Sequence, residues 1–329
     1  MKGPSHKNVR RPVFVKTKMP EESEVNMIYT MTLNPALDYN MITTSFQAGR
    51  VNRSSSEYFM MGGKGLMESQ VLKNLGVPSV AMGMIAGFTG KALREMLNSC
   101  GIATDFVELK QGLTRINVKL WGALEGEINA AGPECDEESL EKLMKKLQNL
   151  TKEDILVLAG TVPKSVPRDI YATIVRQMAQ QGVRTVVDTS GQALKEVIQY
   201  RPFLVKPNHH ELGEIYGVEL KTAEEVWPYA ERMQREGAEN VLVSMGGDGA
   251  LLCASDGSRL YAKAPKGEVK NTVGAGDSMV AGFLAQYLAS GSFAEALRNG
   301  IACGSASAFS DGLATRDEVE QLRPLVLLE

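Results

Sequence analysis

The sequence predicts an α/β protein with a mostly parallel sheet covered by helices on both faces, in three layers, with a small β-sheet attached. Three observations carry this. Runs such as I-L-V-L at 155–158 and N-V-L-V-S at 240–244 are apolar without alternation, as in strands buried on both faces. Helical stretches separate them, which is the rhythm of strand–helix–strand crossovers. Two segments, 38–61 and 114–129, break that rhythm: they are polar, strand-prone and lack a helical period. Such inserts form a separate small sheet, and a sheet edge beside a ligand site can serve as a lid.

In chain order, residues 28–32 read as the first strand. Residues 64–75 read as a helix closed by Gly76, and 80–85 as a returning strand. The G-F-T-G at 87–90 leads into a second helix. Residues 154–158, 184–188, 203–205 and 240–244 are further strands, and 168–181 is a helix entered after Pro167, which is tolerated at a helix start. After G-A-G-D at 274–277, apolar residues at 280, 283, 284, 287 and 288 fit a period of 3.6.

Composition narrows the function classes. The formal net charge of -3, with no large basic block, excludes a nucleic-acid partner. No apolar run approaches the roughly 20 residues a membrane helix needs. Cys100, Cys135, Cys253 and Cys303 form no C-x-x-C pair, and His6, His209 and His210 add no zinc spacing. They read as reduced thiols of a cytoplasmic protein. Residues 1–26, basic and then acidic and without a secretory apolar core, read as a flexible extension ahead of the first strand.

Four motifs carry chemistry. In N-T-V-G-A-G-D at 271–277, Gly274, Ala275 and Gly276 sit at a helix N-terminus, where free N–H groups and the helix dipole favour an anion. Asp277 lies in the first turn. A plain Gly-rich turn with Asp277 as cap is the competing reading. Met279 stands where a dinucleotide fingerprint needs its third Gly. The second motif, G-G-K-G at 62–65, is not a Walker A loop, but Lys64 can meet a substrate phosphate. The third is K-P-N-H-H-E at 206–211. Asn208 and Glu211 at a strand's carboxyl end can hold Mg²⁺ mainly through waters, or form a capping box, or both. The fourth, S-M-G-G-D-G at 244–249, is a hairpin turn whose small residues let the backbone wrap a nucleotide.

Together these residues resemble the PfkB, or ribokinase-like, carbohydrate kinase family from about residue 27 onward. D-T-S-G at 188–191 and N-T-V-G-A-G-D at 271–277 resemble its C-terminal signatures, and G-G-K-G at 62–65 its N-terminal one. T-L-N-P-A-L-D at 32–38, T-R-I-N at 114–117 and A-S-A-F-S-D-G-L-A-T at 306–315 resemble the 1-phosphofructokinase and tagatose-6-phosphate kinase branch.

The resemblance implies a ribokinase-like core with a β-lid, ATP and Mg²⁺ as cofactors, and a sugar phosphate as acceptor. It implies Asp277 as catalytic base and Gly274, Ala275 and Gly276 as the anion hole. Lys206, Asn208 and Glu211 fall on the nucleotide and Mg²⁺ region, and Ser244, Gly246 and Gly249 on the ATP loop. Asp38, Gly62, Gly63 and Lys64 fall on sugar-binding positions, and Arg115 where the branch binds the substrate's existing phosphate. Arg50 and Arg53 are weaker candidates for that task, with solvated charge as their competing role. By analogy, a homodimer pairs through the lid.

Two departures bear on the sugar. The family pattern G-G-K-G-x-N has Met67 at its sixth position, and Ser165 stands where the family has Gly. Methionine cannot hydrogen-bond a sugar hydroxyl, and Glu68 beside it points elsewhere on a helix. The expected reaction is phosphorylation of fructose 1-phosphate to fructose 1,6-bisphosphate. Tagatose 6-phosphate or another sugar is the nearest alternative, and a non-catalytic sugar-phosphate sensor on a kinase fold is the alternative of another class.

Overall fold

The computed structural model describes residues 27–123 and 125–329. The extension expected over residues 1–26 lies outside the described residues. The strands are β1 (Ile28–Thr32), β2 (Ala36–Thr43), β3 (Ser56–Gly62), β4 (Ser79–Ala86), β5 (Ala103–Leu109), β6 (Arg115–Gly122) and β7 (Gly126–Ile128). They continue with β8 (Ile155–Ala159), β9 (Arg184–Asp188), β10 (Leu204–Val205), β11 (Asn240–Ser244), β12 (Ala250–Cys253) and β13 (Arg259–Ala262). The helices are α1 (Lys64–Asn74), α2 (Gly87–Ser99), α3 (Glu137–Leu147), α4 (Ile170–Gln181) and α5 (Gly191–Val197). After them come α6 (His209–Tyr216), α7 (Ala223–Glu236), α8 (Ala275–Ser290), α9 (Phe293–Phe309) and α10 (Arg316–Leu322).

Nine strands form the main sheet in the order β13-β12-β11-β10-β9-β8-β1-β4-β5. From β5 to β11 every pairing is parallel, and only the β11–β12 and β12–β13 hairpins are antiparallel. Successive residues of one strand enter opposite cores, as the period of two requires. Leu156 and Leu158 of β8, with Val241 and Val243 of β11, pack beside residues of α3 to α7. Val157, Val186 and Leu242 join the core that holds α1, α8, α9 and α10. A third core lies around Leu93 and Leu97 of α2. Burial on both faces explains why these strands are apolar throughout. Among the described residues no helix is long and apolar enough to cross a membrane.

The two irregular segments form the separate sheet, in the order β3-β2-β6-β7. Here the pattern alternates. Register puts Asp38, Asn40, Met60, Asn117 and Lys119 on one face, and Tyr39, Phe59 and Val118 on the other.

The helix expected after residue 277 is present as α8, and it is buried on all sides from Asp277 to Leu284. It is wedged between α1 and α9, and small residues make the fit. A Cβ on Gly282 would lie 2.3 Å from Cys303 Sγ, and one on Gly300 would lie 2.9 Å from the Met279 carbonyl oxygen. The helix that opens with Asp277 is therefore held by packing rather than lying free on the surface.

Candidate active site

The parallel strands deliver their carboxyl ends to one rim, the usual place for a ligand in an open α/β sheet. Asp188 ends β9, Lys206 follows β10, and Ser244 ends β11. Asn208 bridges to Ser244 in parallel. The N-termini of α1, α6 and α8 reach the same rim. A cavity of about 1000 Å³ opens there, lined among others by Lys64, Lys206, Asn208, Glu211, Ser244, Gly246 and Gly249, and by Gly274 to Asp277.

The floor of this cavity is an ion-pair cluster. Asp188 Oδ1 receives Lys64 Nζ at 3.0 Å and Lys206 Nζ at 3.3 Å. Burial disfavours the Asp188 charge, but Lys206 and then Lys64 outweigh it and hold the carboxyl below the usual range. Burial likewise opposes the charge on Lys64, yet Asp188 and Asp277 hold its proton well above the ordinary lysine range. Asp277, 5% exposed, lies beside Asp188. Burial first, and then repulsion from Asp188, pushes it up to about 7. A carboxyl poised near neutrality is suited to accept a proton.

The α8 start is built for an anion. Gly274 is the N-cap in a left-handed conformation, φ 80°, with no side-chain cap. Asp277 therefore does not cap its helix, and the capping alternative fails. The Ala275 N–H is bonded to the Thr272 carbonyl at 3.2 Å, and the Ser278 N–H to that of Gly274 at 2.8 Å. Among the described residues this leaves the N–H groups of Gly274, Gly276 and Asp277 free of backbone partners, while the Ala275 N–H expected in the anion hole is taken by Thr272. A Cβ on Gly276 would lie 3.4 Å from Lys206 Nζ, so an ammonium ion sits directly beneath this turn.

For Asn208 and Glu211 both sequence readings stay compatible. The capping box is formed: Glu211 N–H donates to Asn208 Oδ1 at 2.8 Å, and Asn208 N–H donates to Glu211 Oε2 at 2.8 Å. The carboxylate still borders the cavity. The S-M-G-G-D-G turn joins β11 to β12 as expected.

The lid supplies a second, smaller cavity of about 390 Å³, bordered by Asp38, Asn40, Met60, Lys119 and Asp311. Asp38 accepts from Asn117 Nδ2 at 2.8 Å and pairs with Lys119 Nζ at 3.2 Å. Gly62 lies against it: a Cβ there would be 2.3 Å from Asp38 Oδ1. Gly63, φ 120°, is the N-cap of α1. Met67 borders both cavities, at the junction between them.

Arg115 borders neither cavity. Its Nε donates to the Asn34 carbonyl at 3.1 Å at the lid's root, where burial lowers its pKa against the pull of Asp38. Arg50 and Arg53 are exposed. Ser165 is half-buried, with a hydroxyl that has no partner.

Sequence reasoning missed three groups. Lys119 and Asn117 belong to the polar face of β6, and the alternation R-I-N-V-K at 115–119 was the available signal. Asp188 was read only as part of a signature, not as the anchor of two lysines. Glu68 is the third. It does point away from the sugar side, as helix geometry required, but into the cluster, where one oxygen each of Glu68, Asp188 and Asp277 lie within 4.8 Å of one another. Burial, followed by repulsion from Asp188 and Asp277, pushes Glu68 well above the usual range.

Known proteins resemble this chain in sequence and fold. The family model described as pfkB family carbohydrate kinase matches residues 31–319. The chain is 46% identical over 300 residues to the 1-phosphofructokinase of Bacillus subtilis strain 168, covering 91% of this chain and 98% of that one. It is 36% identical over 296 residues to the D-tagatose-1-phosphate kinase of Bacillus licheniformis, with 90% and 97% covered. The crystal structure of phosphofructokinase-2 from Escherichia coli in complex with substrates and products superposes with a TM-score of 0.85 at 29% identity, over 91% of this chain and 99% of that one. The chain thus belongs to the pfkB family of carbohydrate kinases.

Proposed function

We propose that the protein transfers the γ-phosphoryl group of ATP to a hydroxyl of a ketose phosphate, with fructose 1-phosphate as acceptor and fructose 1,6-bisphosphate as product. One observation carries the reading: Asp277, a buried carboxyl pushed up to about 7, lines the large cavity together with the open helix start of α8, and Met67 joins that cavity to the polar lid cavity. The relative's name favours the 1-phosphate, while the tagatose-kinase relative keeps tagatose phosphates in the test.

In this reading the acceptor hydroxyl lies beside Asp277, which accepts its proton as the oxygen attacks phosphorus. That step contributes a factor of roughly 10²–10⁴. The N–H groups of Gly276 and Asp277, with Lys64 and Lys206, offset charge on the transferring group. Asp38, Gly62, Gly63 and Lys119 orient the sugar, and Arg115, outside both cavities but on the same sheet face as Asp38 and Asn117, is the candidate for its existing phosphate. Ser244, Gly246 and Gly249 border the nucleotide. Glu211 suits Mg²⁺: its capped carboxylate borders the phosphate end of the cavity, and a magnesium ion is held by one or two carboxylates, waters and phosphates. Bound there, the ion would neutralise charge on the β- and γ-phosphates. Closing the lid excludes water and limits ATP hydrolysis.

A second copy of the chain fits the outer lid face. Phe59, 49% exposed, stacks on Tyr39 at 4.6 Å there, and an uncovered aromatic pair on a sheet face suits a homodimer. Sedimentation that gives a monomer at micromolar concentration overturns this element.

Coupled ADP release across fructose 1-phosphate, fructose 6-phosphate, tagatose 1-phosphate, tagatose 6-phosphate and free sugars tests the function. Fructose 1-phosphate is expected to show the highest kcat/KM. Melting shifts with sugar phosphates but no ADP release would make the protein a sensor instead.

A further inference from the structure

Glu68 takes no part in the mechanism above, yet it is among the least exposed charged residues of the chain, at 1%. Neither of its carboxyl oxygens has a hydrogen-bond partner, and neither has Asp188 Oδ2. Both nearby ammonium groups, Lys64 and Lys206, are spent on Asp188 Oδ1. From α4, Tyr171 also faces this region, but its hydroxyl donates to the carbonyl oxygens of Ala159 and Gly160 at 3.2 Å. Burial raises its own ionisation. The groups around Glu68 are thus Lys64 on its own helix, Asp188 from β9, Lys206 after β10, Asp277 from α8 and Tyr171 from α4.

Charge counting leaves one negative charge in excess: three carboxylates against two ammonium ions. An unpaired, unbonded carboxylate in such a site is more costly than the neutral acid. Protonation also turns Glu68 from an acceptor into a donor, in a cluster where one oxygen each of Glu68, Asp188 and Asp277 lie within 4.8 Å of one another. A metal cation could balance the charge instead, but it would sit close to two ammonium groups. The proton removes the excess without that repulsion.

We propose that Glu68 is a buried carboxylic acid, a positioning residue whose proton keeps the charge beside Asp277 in balance, and that loss of this proton sets the alkaline limit of the reaction. It rests on the kinase reading above. When the proton leaves, a negative charge appears next to both Asp277 and the path of the anionic phosphoryl group. It repels the donor phosphates and raises the fraction of Asp277 that already carries a proton, so binding and the supply of free base both suffer.

The test compares the whole chain with its Glu68→Gln variant, which fixes the neutral form. In the unaltered protein kcat/KM falls about tenfold per pH unit beyond the alkaline limit. In the variant that limit moves up by at least about one pH unit, giving a rate advantage on the order of tenfold at the alkaline end, while the acid limb stays.

Melting gives a reading free of turnover. Folding raises the affinity of Glu68 for its proton. The unaltered protein therefore loses stability as pH rises from the unfolded carboxylate range through the folded ionisation. The melting advantage of the Glu68→Gln variant should grow between about pH 5 and pH 9, by roughly 2 °C or more. Glu68→Met serves the same two measurements if the amide fails to fold.

An alkaline limb unchanged in both variants, or a melting difference independent of pH, overturns the proposal. So does a rise in melting temperature on adding magnesium or potassium chloride that Glu68→Gln abolishes, because the cluster would then hold a cation. If no sugar gives ADP release at any pH, the kinase reading fails, and the melting series alone decides Glu68.

Discussion

Asp188 receives Lys64 at 3.0 Å across 124 residues of chain. The contact ties the glycine loop that opens α1 to the end of a central strand. With Lys206 on the same oxygen, Asp188 fixes two cations at the point where phosphate charge must be met.

Replacing Asp188 by Asn should therefore unbalance the site. Lys206 is almost fully buried and would lose the carboxylate it is paired with at 3.3 Å. Breaking a buried pair in this way costs about 3–5 kcal/mol. Urea denaturation at pH 7 should show a loss of that order, together with a raised KM for ATP. A loss under about 1 kcal/mol would mean that solvent reaches the pair.

Asp277→Asn should fold, bind ATP and turn over sugar phosphate at least a hundredfold more slowly, which single-turnover ADP release would measure. Its stability carries a sign. Folding raises the Asp277 pKa to about 7, so the native protein is destabilised as pH climbs from the unfolded carboxylate range to about 7. The variant escapes this cost and should melt higher than the unaltered protein at pH 8, with the gap closing near pH 4. In the unaltered protein, kcat/KM should fall as pH drops through about 7.

Gly62→Ala probes the sugar end alone. Its Cβ would meet Asp38 Oδ1 at 2.3 Å, forcing that carboxylate off Asn117 and Lys119. KM for the sugar phosphate should rise about tenfold, equivalent to roughly 1.4 kcal/mol, with KM for ATP nearly unchanged. Equal effects on both constants would place Asp38 outside the sugar site.

Met67→Asn restores an amide at the junction of the two cavities. One added neutral hydrogen bond is worth about 1 kcal/mol, so KM for the preferred sugar phosphate should fall about fivefold. An unchanged KM would show that the acceptor does not reach this junction.

The sequence by itself determined the layered α/β core, the two-segment lid and the anion-binding turn before Asp277. Each of these is written in local pattern: unbroken apolar runs, polar strand-prone runs without a helical period, small residues ahead of a helix. β1, β9 and β11 begin and end where that pattern placed them. Even the Asn208–Glu211 cap was readable, because its partners are three residues apart. Tertiary structure alone decided which side chains meet. Nothing in the spacing of Lys64, Glu68, Asp188, Lys206 and Asp277 announces a shared site. They converge because parallel strands send their carboxyl ends to one rim and α1 packs against α8. The same packing buried α8 on every side and turned Glu68 from a bystander beside Met67 into a member of the charge cluster. Protonation follows from that burial, since the free energy of a charge depends on the solvent and partners around it, which one-dimensional spacing does not contain.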